Sequence, residues 1–447
     1  MARFLDRIGL GRPELRAWAM YDWANSAFYT TIVAAVFPIY YRTVAAAGQT
    51  DAEATARYAW TTALAILIVA IVTPVLGAVA DYTAIKKRLL AAFMLFGAFA
   101  TAAMFQVREG DWPLALTLFL IGNVGVAGSI AFYESLLPHI AREEELDRVS
   151  SAGYAIGYLG GGTLLGLNLL MIQRPDLFGI PDMATATRLT FVSVGIWWAV
   201  FSIPLFRSVA EPPVEGAPAG ALGVRSLLTG VRRLKGTLLE LRRYRNAVLM
   251  LVAFLLYNDG IQTIIRMATI YGTGIGLPES AMIAALLLTQ FIGVPCAVLF
   301  GMLAGRIGAK AAVFAGLCVY LAITVLGYFM TTATHFFALA VLVGMVQGGT
   351  QALSRSLFAS MIPRHKSSEF FAFFGVFERY AGVLGPALFA MVIEATGSGR
   401  TAILAVAGFF ISGAAVLTLV DVPSGRRDAR AAEADQLRKV RGAVPEN

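Results

Sequence analysis

Four carboxylates stand inside long apolar stretches of this 447-residue chain, Asp22, Glu134, Asp259 and Glu378, together with three arginines, Arg266, Arg355 and Arg379. An ionised Asp, Lys or Arg at the centre of a membrane helix costs about 2.5–3.5 kcal/mol on insertion scales, so such groups turn toward a cavity or toward each other. The carboxylates are also the groups that could take up a proton at that depth. Desolvation would raise their pKa and a facing arginine would lower it. Helical spacing, about 100° per residue, sorts the polar residues into stripes. Asp22, Asn25, Ser26 and Tyr29 share one face, as do Asp259, Gln262 and Arg266 in a later stretch that opens with Tyr257-Asn258. Asp259 and Arg266 would stand roughly 10 Å apart along that helix. Asn123 aligns with Glu134 three turns on, and Gln347, Gln351 and Ser354 form a further stripe with Arg355 at its margin. Glu378 and Arg379 are adjacent, so they point in different directions. Any one of these residues is explained by an internal ion pair or an interhelical hydrogen bond. The set predicts a shared aqueous pathway.

The elements that must position these groups are transmembrane helices. Hydrophobic residues make up 58% of the chain and charged residues 14%, against about 25% charged in a soluble domain. Spanning a bilayer takes about 20 mostly apolar residues. Twelve windows qualify: 15–41, 58–80, 89–107, 113–137, 150–172, 189–206, 246–271, 281–304, 311–331, 335–360, 369–395 and 401–420. They are too long and too evenly apolar for barrel strands of about 10 alternating residues. The first window, interrupted by Asp22 and Asn25, does not read as a cleaved signal peptide. Cys296 and Cys318 lie in apolar windows and read as small buried hydrophobes rather than a disulfide. His139, His335 and His365 have no metal-binding spacing, so neither metal nor cofactor is expected.

Lysine and arginine set the orientation. With the N-terminus inside, 27 of the 36 fall in cytoplasmic segments and 6 in external loops, the other 3 lying within helices. That asymmetry places both termini in the cytoplasm. It also accounts for the formal charge of +8 without nucleic acid as a partner. The expected partners are the lipid bilayer and a small-molecule solute, with protons as a candidate coupling ion, and the chain is expected to act as a monomer.

The apolar pattern breaks between the sixth and seventh windows. This divides the chain into a six-helix bundle at 1–206, a linker at 207–245, a second six-helix bundle at 246–420 and a basic tail at 421–447. The linker opens with Glu211-Pro212-Pro213. Further on, Leu227, Val231, Leu234, Leu238 and Leu241 face one way and Arg232, Arg233, Lys235, Arg242 and Arg243 the other. This predicts an interfacial helix on the anionic inner leaflet. The two halves echo each other. Gly77-Ala78-Val79-Ala80-Asp81 leads into Lys86-Lys87-Arg88, and 224 residues later (301 − 77) Gly301-Met302-Leu303-Ala304-Gly305-Arg306 leads to Lys310. Pro138 and Pro363, Ser129 and Ser354, and Gly160 and Gly385 share an offset of 225 (363 − 138). Duplication of this kind marks transporters whose substrate site lies between repeats. Gly153, Gly157 and Gly161, and likewise Gly122, Gly125 and Gly128, predict close helix packing.

The run from Gly77 to Asp81 followed by the basic cluster resembles the loop signature between helices two and three of the major facilitator superfamily, and Gly301 to Lys310 its degenerate copy between helices eight and nine. Within that superfamily, Trp18-Ala19-Met20-Tyr21-Asp22-Trp23-Ala24-Asn25-Ser26-Ala27-Phe28 resembles the opening helix of the autophagy-related vacuole-effluxer-like group, also called the unknown major facilitator family. Gln347-Gly348-Gly349-Thr350-Gln351-Ala352-Leu353-Ser354-Arg355 resembles its tenth helix. The fold class expected is therefore an all-α membrane protein of twelve transmembrane helices in two pseudo-symmetric six-helix bundles, the major facilitator fold. The resemblance implies that the lobes rock about a central site. It also implies that Asp81 latches one state by meeting the start of helix eleven, here Ser367-Ser368-Glu369. Gly77, Lys87, Arg88, Gly301 and Arg306 are expected to belong to the latch, and Gly305 in place of an acidic residue leaves the second copy weaker. A yeast relative associated with releasing amino acids from the vacuole points to amino-acid efflux. Helix four has no arginine at Gly122-Asn123-Val124-Gly125, and helix five no proline after Gly160-Gly161-Gly162, so proton coupling and antiport stay open. Short loops and a preference for Arg over Lys, 30 to 6, suit a bacterial inner membrane.

The reading that results is a secondary transporter, not an enzyme, for a small polar solute such as an amino acid, with efflux favoured. Arg266 or Arg355 would hold a substrate carboxylate, and Asp22 or Asp259 its ammonium or a proton. Asn25, Tyr29, Asn123, Glu134, Asn258, Gln262, Gln347, Gln351 and Glu378 complete the expected site. Two other readings keep the fold: a solute sensor or scaffold that transports nothing, and a carrier of a lipid-like amphiphile. No nucleophile elbow, phosphate loop or His/Cys/Asp cluster supports a membrane enzyme or an ATP-driven pump.

Overall fold

A computed structural model describes residues 2–49, 51–214, 241–274, 277–380, 384–396 and 398–442. Among the described residues there is no strand. The first span, α1 (Pro13–Ala27), starts after an extended Arg12, with proline at the first helical position, where its preset φ helps and its missing amide costs nothing. It runs on through a π segment, Phe28–Ala35, a helical turn, Val36–Tyr40, and a second π segment, Tyr41–Ala45. The widened register precedes Pro38, which cannot donate and whose ring crowds the carbonyl four residues back. The next spans are α2 (Asp51–Thr83), α3 (Lys86–Ala103), α4 (Trp112–Ile140), α5 (Leu146–Gln173) and α6 (Met183–Ser208). The second half contains α7 (Arg245–Gly274), α8 (Glu279–Ile307), α9 (Ala309–Tyr328) and α10 (Ala333–Ala359). It closes with α11 (Ser367–Tyr380, resuming at Leu384–Thr396), α12 (Gly399–Ala405, then Ala407–Thr418) and a tail helix, α13 (Val422–Gly442).

Ten of these helices are long and apolar enough by themselves to cross a bilayer. The other two spans, α1 with its π segments and α11 in two described pieces, complete the two six-helix bundles. Within each bundle, helices approach so closely that only glycine fits. A Cβ on Gly153 of α5 would stand 2.5 Å from Asp22 Oδ2 of α1, and one on Gly125 of α4 2.5 Å from Gly97 Cα of α3. In lipid, where apolar side chains gain nothing by leaving water, such backbone contact supplies much of the packing attraction. The linker helix expected between Leu227 and Leu241 falls mostly on 215–240, outside the described residues. The α2–α3, α4–α5, α8–α9 and α10–α11 connections lie at one end of the bundles, with Lys86, Arg142, Lys310 and Arg364 among them. This end is called the basic face below.

Candidate functional site

Arg355 sits four residues before the end of α10, roughly 6 Å in from the basic face at 1.5 Å per residue. Its side chain leaves the C-terminal bundle and enters the N-terminal one. Arg355 Nε donates to Ser150 Oγ at 2.8 Å and Nη2 to Ser150 O at 2.9 Å. The guanidinium lies 3.5 Å from Asp22 Oδ2 and 3.7 Å from Glu134 Oε1. Trp18 and Tyr154 stack beside it, their ring centroids 5.0 and 4.5 Å from its central carbon. Tyr133 Oη donates to Asp22 Oδ2 at 2.8 Å. The planar fork of arginine suits this arrangement, because it can meet several oxygens and two ring faces at once. The Arg355 and Glu134 side chains are 2% and 3% exposed, whereas Asp22 is 14% exposed. Asp22 is thus the least enclosed of the three. Asp22 and Glu134 both face the Arg355 guanidinium.

Closer to the basic face lies a second buried pair, Asp81 Oδ1 and Lys86 Nζ at 2.7 Å, with both side chains at most 3% exposed. Asp81 also accepts from the Ser368 N–H at 3.3 Å and the Glu369 N–H at 3.1 Å. The first amides of α11 have no acceptor in their own helix, and the helix dipole favours an anion there. Lys86 Nζ donates to Ser367 Oγ at 2.7 Å and lies 3.0 Å from His139 Nε2. A Cβ on Gly77 would stand 2.8 Å from Ser368 O, so glycine is what lets α2 reach the α11 backbone.

The contact expected between Asp81 and the start of α11 is present, but the basic residues differ from those expected. Lys86, not Lys87, is the buried cation. Lys87 stays within the N-terminal bundle, where its Nζ donates to Phe206 O at 2.9 Å and to Val209 O at the end of α6. Its backbone N–H and that of Lys86 donate to the Glu211 carboxylate at 2.9 and 2.7 Å, so an acid from the linker caps α3. Arg88 and Arg306 are exposed. Gly301 packs on α5, an added Cβ falling 2.7 Å from Ser151 Cβ. A Cβ on Gly305 would meet nothing nearer than Arg148 Nη2 at 3.7 Å.

The polar residues deeper in the bundles are placed differently from their helical stripes. Asn25 Nδ2 donates to Tyr21 O and Asn123 Nδ2 to Phe119 O, both at 2.8 Å, so each turns back on its own helix. Gln351 Nε2 donates to Asn258 Oδ1 at 3.3 Å, and Asn258 Nδ2 to Glu378 O at 3.5 Å, joining α7, α10 and α11. Asp259 corrects the expectation that it stands opposite Asp22. It is 1% exposed and accepts from the Gly385 N–H at 3.1 Å, tying α7 to α11 inside one bundle. Tyr29, Gln262, Gln347 and Glu378 are half-buried, and the side chains of Arg266 and Arg379 lie outside the described residues. Tyr133, Ser150, Tyr154, Lys86 and His139 were not singled out as site residues from the sequence. Tyrosines and a lysine at a helix end carry no pattern that separates them from ordinary core and interface residues. Tyr158 is another of this kind: it wedges against Gly348 and Gly293 of the opposite bundle.

Residues 11–430 match the family described as vacuole effluxer Atg22 like. The chain is 33% identical over 407 residues to the uncharacterized MFS-type transporter YxiO of Bacillus subtilis (strain 168), across 90% of this chain and 94% of that one. Autophagy-related protein 22-1 of Aspergillus niger is 25% identical over 317 residues, and the match covers 67% of this chain but only 51% of that longer protein. Among solved structures, the major facilitator transporter FucP in its outward conformation superposes with a TM-score of 0.67 at 13% identity, over 92% of this chain and 100% of that one. The human organic anion transporter MFSD10 (TETRAN) does so with 0.65 at 14% identity, over 91% and 99%. At those identities the structures speak to the fold alone, and the fold is that of the major facilitator superfamily. The chain belongs to the vacuole effluxer Atg22-like family, a membrane transporter family of that superfamily.

Proposed function

We propose that this protein is a secondary transporter of a small polar solute, an amino acid first of all, working by alternating access with efflux favoured. The lobes that move are 1–206 and 246–420, the basic face is cytoplasmic as its lysines and arginines require, and the setting is a bacterial inner membrane. The observation that carries the reading is the Arg355 contact: a cation of one lobe is held by Asp22 and Glu134 of the other, with Asp22 the least enclosed of the three. On this reading it acts together with the Asp81–Lys86 contact to hold the cytoplasmic side closed.

Opening that side must pull Arg355 away from both acids. Leaving a buried charge without its partner costs about 3–5 kcal/mol. Turning a two-state equilibrium from 1:99 to 99:1 takes about 5.5 kcal/mol. A proton, or the ammonium of an amino acid, placed on Asp22 removes one of the two attractions on Arg355 and so shifts the balance toward opening. Arg355, once released, is free to meet a solute carboxylate. On this reading protons are coupled through the Asp22 and Glu134 pair, and the monomer is the working unit.

A thermal-shift screen of amino acids with the purified protein, followed by counterflow of any hit across a pH gradient in proteoliposomes, tests the assignment. The expected result is stabilisation by at least one amino acid, with exchange that depends on the gradient. Stabilisation without exchange would make the protein a sensor. Stabilisation by lipid-like amphiphiles alone would replace the substrate class.

A further inference from the structure

The tail helix α13 is anchored on its own bundle. The Asp421 N–H donates to Asn246 Oδ1 at 2.9 Å, and an added Cβ on Gly425 would stand 2.8 Å from Met361 Sδ. Further along, Glu433 Oε1 accepts from the Arg364 N–H at 2.9 Å. From this base two arginines, one helical turn apart, reach the other bundle. Arg426 Nε lies 3.3 Å from Glu143 Oε1, and Arg430 Nη2 bonds Glu143 Oε2. Arg426 Nε also donates to Ser360 Oγ at 3.2 Å, so its reach is braced from its own side.

Glu143 lies in the α4–α5 connection, in the acidic run Glu143-Glu144-Glu145-Leu146-Asp147. Glu145 is taken by Arg12 at 2.7 Å, and Asp147 accepts from Ser356 Oγ at 2.6 Å. Glu143 is the member of this run that the tail grips. The tail helix thus joins the two bundles at the basic face, outside the membrane-spanning helices and independently of the Asp81 and Arg355 contacts.

We propose that α13 is a clasp: fixed to the C-terminal bundle, it holds the N-terminal bundle through Glu143 and opposes separation of the two at the basic face. The inference rests on the alternating-access reading, since only a protein that opens there needs restraint. Both pairs are partly exposed, Arg430 at 67% and Glu143 at 28%. Exposed ion pairs contribute little each and weaken with salt, so the clasp tunes the equilibrium rather than locking it. It also makes that equilibrium sensitive to ionic strength on one side of the membrane.

The test is a double electron–electron resonance distance between spin labels at Arg207 and Ile307, exposed positions in opposite bundles, in a background lacking Cys296 and Cys318, in nanodiscs without solute. Glu143→Arg, and separately Arg426→Glu with Arg430→Glu, should each raise the population with the basic face open by about two- to fivefold. The combination of all three substitutions should return it toward the starting value, and 0.5 M salt should act on the parent as the single-sided swaps do. Asp81→Ala serves as an opening control. If Asp81→Ala opens the face while neither single-sided swap does, the clasp is wrong and alternating access stands. A widening that the combined swap fails to reverse also overturns the clasp, because it would report damage to the fold rather than loss of attraction. If no variant opens the face, the alternating-access reading falls and takes the clasp with it.

Discussion

Where α2 and α3 meet α11, a buried carboxylate and lysine sit on a helix N-terminus; where α8 and α9 meet α5, the corresponding place holds Gly305, with Arg148 as its nearest neighbour. The two contacts descend from the same short pattern, yet their physics differs. The first is polar and complete. Asp81 has a cation and two amides, and Lys86 has a carboxylate, a serine hydroxyl and an imidazole nitrogen. Such a site holds well while every partner is present and fails badly when one is lost. The second rests on close packing of Gly301 against Ser151, where small surfaces can slide. On the alternating-access proposal the hold on the basic face is lopsided: the Asp81 contact resists opening, and the Gly305 contact gives.

Three substitutions probe that difference. Asp81→Ala leaves Lys86 buried without its carboxylate, an effect of about 3–5 kcal/mol. At 1.4 kcal/mol per tenfold, that favours the open basic face by roughly two to three orders of magnitude. Alkylation of a cysteine placed at Ser135, which lies against Ser368, should speed up accordingly, and transport should slow while solute affinity changes little. An unaltered turnover would count against the latch. Gly77→Ala leaves the charges in place but drives a methyl to 2.8 Å from Ser368 O. Overpacking of this kind costs about 1–3 kcal/mol, so the same alkylation should rise about tenfold. Gly305→Asp works in the other direction. The site has room, and a new carboxylate near Arg148 adds an exposed pair of at most about 1 kcal/mol. Alkylation should slow by no more than about fivefold; a loss as large as the gain from Asp81→Ala would mean that the two contacts are equivalent after all.

The helices and the division into two bundles were readable because lipid leaves few alternatives to long apolar runs, and because the loop pattern occurs in both halves. The Asp81 contact with α11 was readable only through the resemblance, since nothing in helical periodicity brings residues 81 and 368 together. Side-chain reach limited the rest. Arg355 looked marginal on its helical stripe, but a long arginine placed near a helix end can cross to a neighbouring bundle. Asp259 looked like a partner for Asp22, yet a short carboxylate one turn from Gln262 found a backbone amide of α11 first. Asn25 and Asn123 show the same tendency, as short amides in membrane helices bond carbonyls four residues back. Lys86 was hidden by its neighbours: three consecutive basic residues mark a cytoplasmic loop, and periodicity does not say which of them is buried.

The most direct test is counterflow of amino acids into proteoliposomes containing the wild-type protein or Asp22→Asn, with equal amounts of folded protein confirmed in both. The contact between Asp22 and Arg355 predicts accumulation by the wild type and loss of at least nine-tenths of it in the variant. Equal accumulation by the two proteins would contradict the role given to Asp22 and, with it, the proposed switch at Arg355.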